Sequence, residues 1–393
     1  MSRQRDLAAV AGLCGLFGLV GWAFYLHAFA GVRGEGWMVY YNAVRAYFEG
    51  NLPLIYDGVR STALLNARFA AWLPNPLPLH PWLYPPHYLL LLLPFGLLPF
   101  ATAGGLFLIL SFAGCLAALG RWARSRAEGA AIAASILLCP ASAITVCVGQ
   151  NTFLTCALLV AGFGMIERRP ALAGALLGVA TYKPQLWLMV PVALLAARQW
   201  KALAAAAGLS LLLALLSVAV FGLAPWQEWL ALMTAPSPVY EQWRIIARLN
   251  GQSVYANAVL LGASVPLANL AQAAAMLLGG LCVWRCYRRP MAGDLALAVL
   301  LAATVLAAPH VLAYDGVLLG IAATLFFNRA YADGFRFGDT ALAVLVWASP
   351  LTNPPSVFLF GFLTPPLIVL FIAWVMARGR RDAIAAGGVL SPA

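Results

Sequence analysis

The sequence predicts an all-α polytopic membrane protein. Three observations support this: its composition, its recurring apolar segments and the position of its basic residues. Of 393 residues, 63% are hydrophobic and 9% are charged, whereas soluble proteins have roughly 45–50% apolar and about 25% charged residues. Apolar segments recur along the chain with no hydrophilic block of domain size between them. We therefore predict one membrane domain over residues 1–393 and exclude a soluble core.

About twelve apolar segments are predicted to cross the membrane. They cover residues 6–28, 102–121, 129–147, 151–166, 170–182, 185–197, 202–222, 266–285, 292–308, 311–327, 338–350 and 356–376. Segments 170–182 and 185–197 are short, which predicts broken helices beside a polar cavity. Residues 87–99 contain Pro94 and are too short for a crossing of about 20 residues. This segment is predicted to be a re-entrant or membrane-surface helix.

The basic residues predict the orientation of these segments. With the N-terminus in the cytoplasm, 17 of the 24 Lys and Arg residues fall on the cytoplasmic side, as the positive-inside rule expects. The net charge of +11 therefore reflects topology, and no basic patch indicates nucleic-acid binding. The C-terminal tail, residues 377–393, is predicted to be cytoplasmic. Residues 29–101 and 223–265 are predicted to form two large outer loops that together build the functional site.

The first outer loop offers two candidate general bases. Residues 37–49 have an amphipathic helical pattern with Tyr40 on the apolar face, which predicts an interfacial helix. Glu35 precedes this helix and Asp57 follows it. A carboxylate at the junction of loop and membrane can accept a proton from a substrate hydroxyl, although either residue could also be a solvated acid.

Polar groups also interrupt the apolar segments at the predicted outer boundary. Lys183 interrupts an otherwise apolar stretch, so it is either a phosphate-binding cation or a snorkelling lysine. Arg244 and Arg248 are four residues apart and could grip a phosphate or meet lipid headgroups. The remaining candidates at this boundary are His87, Gln150, Asn151, Gln185, Gln252, His310 and Asp315. Helix capping is the structural alternative for Gln150 and Asn151, and a buried polar pair is the alternative for His310 and Asp315.

Metal and disulfide sites are not indicated by the sequence. The seven cysteines lie in or beside apolar segments, with no CxxC pair and no neighbouring histidine. The carboxylates form no compact cluster of the kind that binds Mg²⁺. We therefore expect no metal and no cofactor.

The ordered motifs resemble the bacterial polyprenol-phosphate-dependent glycosyltransferases of family 87, membrane enzymes of the GT-C fold that include mannosyltransferases. The resemblance runs from Trp37 to about Asp315. It rests on the order and spacing of WMVYYNAVRAYFEGNLPLIYDG, YPPHYLLLLLPFGLLP, GQN, KPQ, NGQS and HVLAYD.

The resemblance implies inverting transfer of a mannose-like hexose from a polyprenyl-phosphate sugar to a lipid-linked or periplasmic glycan. The reaction would take place at the outer face of the bacterial cytoplasmic membrane, among membrane lipids and without nucleic acid. Family members usually have an aspartate as base immediately before the first aromatic residue. This chain has Gly36 there, and Glu35 is one position away.

Combining the residues with the resemblance gives each candidate a role. Glu35 or Asp57 would be the base, and Lys183, His310 and an arginine of the second loop would bind the departing phosphate. The predicted substrate-binding residues are Tyr40, His87, Gln150, Asn151, Gln185, Gln252 and Asp315. A flippase for a lipid-linked sugar and an inactive scaffold are the alternatives. The lack of an internal repeat and the polar groups on one face argue against transport.

Overall fold

The computed structural model describes residues 2–31, 33–234, 251–352 and 363–387, and within them the regular elements are helices. This confirms the all-α prediction. The α-helices are α1 (Ser2–Ala28), α2 (Glu35–Phe48), α3 (Gly58–Arg68), α4 (His87–Leu92), α5 (Phe100–Gly120), α6 (Arg126–Leu138), α7 (Pro140–Val148), α8 (Thr152–Met165), α9 (Pro170–Val179), α10 (Pro184–Trp187), α11 (Met189–Ala196), α12 (Trp200–Phe221), α13 (Ala224–Thr234), α14 (Val254–Leu260), α15 (Val265–Arg288), α16 (Gly293–Ala307), α17 (Val317–Asp333), α18 (Asp339–Ala348) and α19 (Thr364–Gly387). Five short 3₁₀ helices join them, at Leu52–Tyr56, Leu93–Leu97, Ala180–Tyr182, Ala313–Gly316 and Ser349–Thr352.

Four of the described helices are long and apolar enough to cross a membrane: α5, α12, α15 and the Ala11–Ala28 part of α1. The pair α6 and α7 adds a fifth candidate, bent by 58°. Pro140 begins α7, and a proline cannot continue the preceding helix. The other apolar helices have 10–17 residues, so the count of twelve crossings stays a prediction.

Two predicted interruptions are present in the structure. The segment around Lys183 is broken into α9, a 3₁₀ turn, α10 and α11, because Pro184 restricts Lys183 to a non-helical backbone conformation. Residues 87–97 form α4 and a 3₁₀ turn that contains Pro94. That helical segment is shorter than a crossing, and its predicted re-entrant or surface position stays a prediction.

The core of the fold is formed by α16 and α17, which pack against each other. Every residue of α16 from Leu295 to Ala307 is buried. The long helices α5, α12 and α15 instead expose large apolar side chains, such as those of Ile109, Leu211 and Leu277. Their exposure is expected where the surrounding solvent is lipid.

Residues 33–101, within the predicted first outer loop, pack on the long apolar helices through α2. Its predicted polar face is covered by α3, because Arg68 bonds to both Asn42 and Glu49. Asn42 is therefore buried, whereas Phe48 at the end of the helix is exposed. This packing holds the N-terminus of α2 against the turn between α7 and α8.

Candidate active site

A cavity of about 400 Å³ lies where α2, the residue 78–84 segment and three inter-helix turns meet. The predicted site residues that line it are Glu35, Tyr40, Gln150, Lys183, Gln185, His310 and Asp315. These residues come from four separate parts of the chain. The structure therefore brings these seven residues together around one cavity, and their position on the outer side of the membrane stays a prediction.

Glu35 is the first residue of α2 and faces His80. Glu35 Oε2 lies 3.7 Å from His80 Nε2, and both side chains are largely buried. Burial raises the pKa of the Glu35 carboxyl, and the His80 charge opposes this rise. His80 Nδ1 lies 2.8 Å from the Pro78 carbonyl oxygen, which fixes the ring with Nε2 toward Glu35.

Gly36 allows α2 to approach the turn between α7 and α8. A Cβ atom at Gly36 would overlap the Gln150 amide and lie 3.0 Å from the Val148 carbonyl oxygen. Gly149 in that turn has a φ of +74°, and a Cβ there would lie 2.7 Å from Trp37 Cβ. The space beside Gly36 is therefore occupied by Gln150.

Gln150 in turn holds a chain of tyrosine hydroxyls. The Tyr40 hydroxyl donates to Gln150 Oε1 at 2.5 Å and lies 2.8 Å from the Tyr84 hydroxyl. Since Tyr40 uses its single proton on Gln150, the Tyr84 hydroxyl donates to Tyr40. Both tyrosines and the glutamine line the cavity, where they can meet the hydroxyl groups of a sugar.

Lys183 is not isolated in the cavity wall. Its ammonium group lies 2.6 Å from Asp315 Oδ1, and the two side chains are 2% and 3% exposed. Lys183 also donates to Asn151 Oδ1 at 3.2 Å, while Asp315 accepts from the Leu312 amide. Asp315 is thus in a buried pair with Lys183, a partner that the sequence did not indicate, and this pair balances the positive charge of Lys183.

His310 lines the same cavity from the loop after α16. A backbone bridge between Gly251 and Leu312 fixes that loop. Beside it, the backbone N–H of Gln252 donates to the Val311 carbonyl oxygen at 2.8 Å. Gln185, two residues after Lys183 in the chain, also lines the cavity.

The family model described as glycosyltransferase family 87 matches residues 82–309, more than half of the chain. The chain belongs to glycosyltransferase family 87. The family resemblance inferred from the motifs is thus confirmed, as is the coarse activity of a glycosyltransferase. Among curated proteins and among solved structures, no significant match was found.

The matched part of this family 87 chain contains Tyr84, Gln150 and Lys183 but not Glu35. The cavity therefore joins matched residues to residues that precede the match, such as Glu35, and to His310 and Asp315, which follow it. Residue His80 also precedes it, and its role was not predicted from the sequence. Its only sequence signal is its place in the proline-rich stretch PLHPW.

Several predicted site residues lie outside the cavity of this glycosyltransferase. Asp57 caps α3 by accepting the Arg60 amide at 3.0 Å, and it pairs with the Arg60 side chain. His87 stacks on Trp226 with ring centroids 5.8 Å apart. Asn151 lies behind Lys183, as the bond above shows.

Three further predicted residues are not among the described residues that line the cavity. Gln252 is 1% exposed, and its side-chain amide has no hydrogen-bond partner among the described residues. Arg244 and Arg248 lie outside the described residues. Within the described part of the family 87 chain, no cluster of three or more His, Cys, Asp or Glu residues could hold a metal ion.

Proposed function

We propose that this glycosyltransferase transfers a mannose-like hexose from a polyprenyl-phosphate sugar to a hydroxyl group of a lipid-linked or periplasmic glycan. The proposed reaction inverts the anomeric centre at the outer face of the bacterial cytoplasmic membrane. One observation carries the proposal: Glu35, Lys183 and His310 meet in a single cavity of a family 87 membrane protein. Membrane helices bring such a cavity within reach of a lipid-linked donor.

Glu35 is the proposed base. Its carboxylate accepts the proton of the acceptor hydroxyl as that oxygen bonds to the anomeric carbon. The bond from this carbon to the phosphate oxygen breaks, and the phosphate leaves with the electron pair. Burial raises the pKa of Glu35, which strengthens it as a base near neutral pH. Asp57 is the weaker candidate because its oxygens cap α3 and contact Arg60.

Lys183 and His310 are proposed to stabilise the departing phosphate. Fixed donors aimed at developing negative charge are effective in a site that excludes water. Because Asp315 already pairs with Lys183, the lysine would contribute a positioned hydrogen-bond donor more than an excess positive charge. Arg244 and Arg248 stay further proposed phosphate ligands, and no cofactor or metal is required by this scheme.

The sugar is proposed to contact the uncharged polar groups of the cavity wall. Tyr40, Gln150 and Gln185 all line the cavity, where hydroxyl and amide groups can orient sugar hydroxyls. Asn151 and Asp315 would act by holding Lys183. His87 and Gln252 do not line the cavity. Their proposed contribution to substrate binding is therefore indirect, through support of the segments in which they lie.

Transfer of labelled sugar by the reconstituted protein tests the proposal. Wild-type protein is expected to transfer label from a polyprenyl-phosphate hexose to membrane glycolipid, and Glu35→Gln to reduce the rate by about 10²- to 10⁴-fold. Asp57→Asn is the matched control and is expected to retain most of the rate. Dependence on Asp57 with indifference to Glu35 would move the base.

The donor class is tested by the same assay with different donors. Transfer from a nucleotide sugar but from no polyprenyl-phosphate sugar would contradict the proposed donor. A correctly folded protein that transfers from neither would favour the flippase or scaffold alternatives.

A further inference from the structure

A second cavity, of about 630 Å³, shares no lining residue with the site described above. Helices α15 and α19 both pack on α16 and leave a groove between them. Its walls include Leu278 and Leu281 from α15, and Val369 and Met376 from α19. All the other residues that line it are apolar or cysteine, except two arginines at one end. We call this space the α15/α19 groove.

The two arginines are Arg285 of α15 and Arg380 of α19. Each is the groove residue nearest to the C-terminus of its own helix, so the apolar walls run in one direction toward both charges. The positive charges of Arg380 and Arg289 act on Arg285, which shows that the three cations lie close together. Within the described residues, Arg285 and Arg380 form no salt bridge.

A neighbouring arginine, in contrast, has its charge neutralised by a carboxylate. Arg378, two residues before Arg380, is buried and paired with Asp339. Basic residues near the end of a membrane helix are ordinary topology signals. Here, however, two cations from separate helices line one apolar groove, and no carboxylate is among the described residues that line it.

An apolar groove that ends in clustered cations complements an anion with a hydrocarbon tail. Basic pockets between membrane helices bind anionic lipid headgroups, because the arginines contact the phosphate while acyl chains contact the apolar walls. The guanidinium groups can reach the headgroup level even where their stems lie along apolar surface.

We propose that the α15/α19 groove binds an anionic glycerophospholipid. Its phosphate contacts Arg285 and Arg380, and an acyl chain lies along Leu281 and Met376. This site is separate from the catalytic cavity, since the two cavities share no lining residue. The proposal therefore does not depend on the proposed sugar transfer.

Native mass spectrometry of the detergent-purified protein with added phosphatidylglycerol or phosphatidylcholine tests the proposal. We expect the wild type to prefer phosphatidylglycerol and the double variant Arg285→Gln with Arg380→Gln to lose about 30-fold in affinity for it, from about 1 kcal/mol for each arginine. The control removes two exposed arginines elsewhere, Arg168→Gln with Arg169→Gln, and is expected to keep the preference.

A groove-filling variant tests the apolar half of the site. Ala373 lines the groove and is exposed, so Ala373→Trp is expected to reduce binding of both lipids while the protein stays folded. Equal binding of the two lipids by the wild type would overturn the proposal, as would equal loss in the control variant. A dimer that Ala373→Trp dissociates, with lipid binding unchanged, would identify a second copy of the chain as the occupant instead.

Discussion

Replacing His80 is expected to move the acidic limb of the transfer activity to higher pH. In the proposed mechanism Glu35 acts as a carboxylate, so activity is present above its pKa and is lost as pH falls through that pKa. Burial raises this pKa, and the charge of His80 lowers it. Removing His80 leaves the effect of burial unopposed, and the Glu35 pKa must therefore rise.

The separation of the two groups sets the size of the shift. Glu35 Oε2 and His80 Nε2 are 3.7 Å apart. At about 4 Å, unit charges interact by about 1 kcal/mol in water and more at the lower effective dielectric near a protein surface. Because 1.36 kcal/mol corresponds to about one pKa unit, a shift of about one pH unit or more is expected.

The substitution of choice is His80→Asn, because its side-chain amide can keep the bond that His80 Nδ1 makes to the Pro78 carbonyl. Initial rates of labelled-sugar transfer are measured against pH for wild type, His80→Asn and His87→Asn. His87 is the matched control, since it stacks on Trp226 outside the cavity. An unmoved acidic limb in His80→Asn, or an equal movement in His87→Asn, would refute the reasoning.

Two further predictions concern the packing of the site. Lys183→Met leaves the Asp315 carboxylate buried and unpaired, so it is expected to lower the free energy of unfolding by about 3–5 kcal/mol and to lower the thermal midpoint. Adding Asp315→Leu is expected to recover much of this loss. A Lys183→Met variant as stable as the wild type would contradict the buried pair. Gly36→Ala introduces a Cβ that overlaps the Gln150 amide, so it is expected to destabilise the protein by about 1–3 kcal/mol and to slow sugar transfer. The control is Gly105→Ala, whose Cβ meets nothing within 4 Å and which should not destabilise the protein in the same melting experiment. Equal effects of the two alanines would argue against the close approach at Gly36.

The fold class could be predicted from the sequence because composition alone separates lipid-exposed from soluble helices. The break at Lys183–Pro184 was also predictable, since proline disfavours helix at the preceding residue. The individual membrane crossings were less predictable from the sequence. Many of the internal helices have only 10–17 residues, and their apolar sequences are the same whether they face lipid or other helices.

The candidate site was predictable in its parts but not in its pairings. Polar residues at one predicted boundary pointed to Glu35, Lys183 and His310, which do line one cavity. The Lys183–Asp315 pair joins residues 132 positions apart, and no local pattern encodes that contact. His80 was missed because a proline-rich stretch has no helical or strand period from which its direction could be read.

The charges of the cavity constrain how a phosphate can bind there. Among the described residues that line it, Glu35 and Asp315 are acidic, Lys183 is basic, and His80 and His310 can be either neutral or charged. When Glu35 is ionised and both histidines are neutral, the wall carries one excess negative charge, which opposes an incoming phosphate. Binding of the donor is therefore expected to weaken when Glu35 ionises, whereas proton abstraction requires ionised Glu35. Glu35→Gln removes this negative charge, so the variant should bind the donor more tightly than the wild type does, although it transfers sugar more slowly. Donor binding that Glu35→Gln leaves unchanged or weakens would show that the Glu35 charge does not oppose the phosphate.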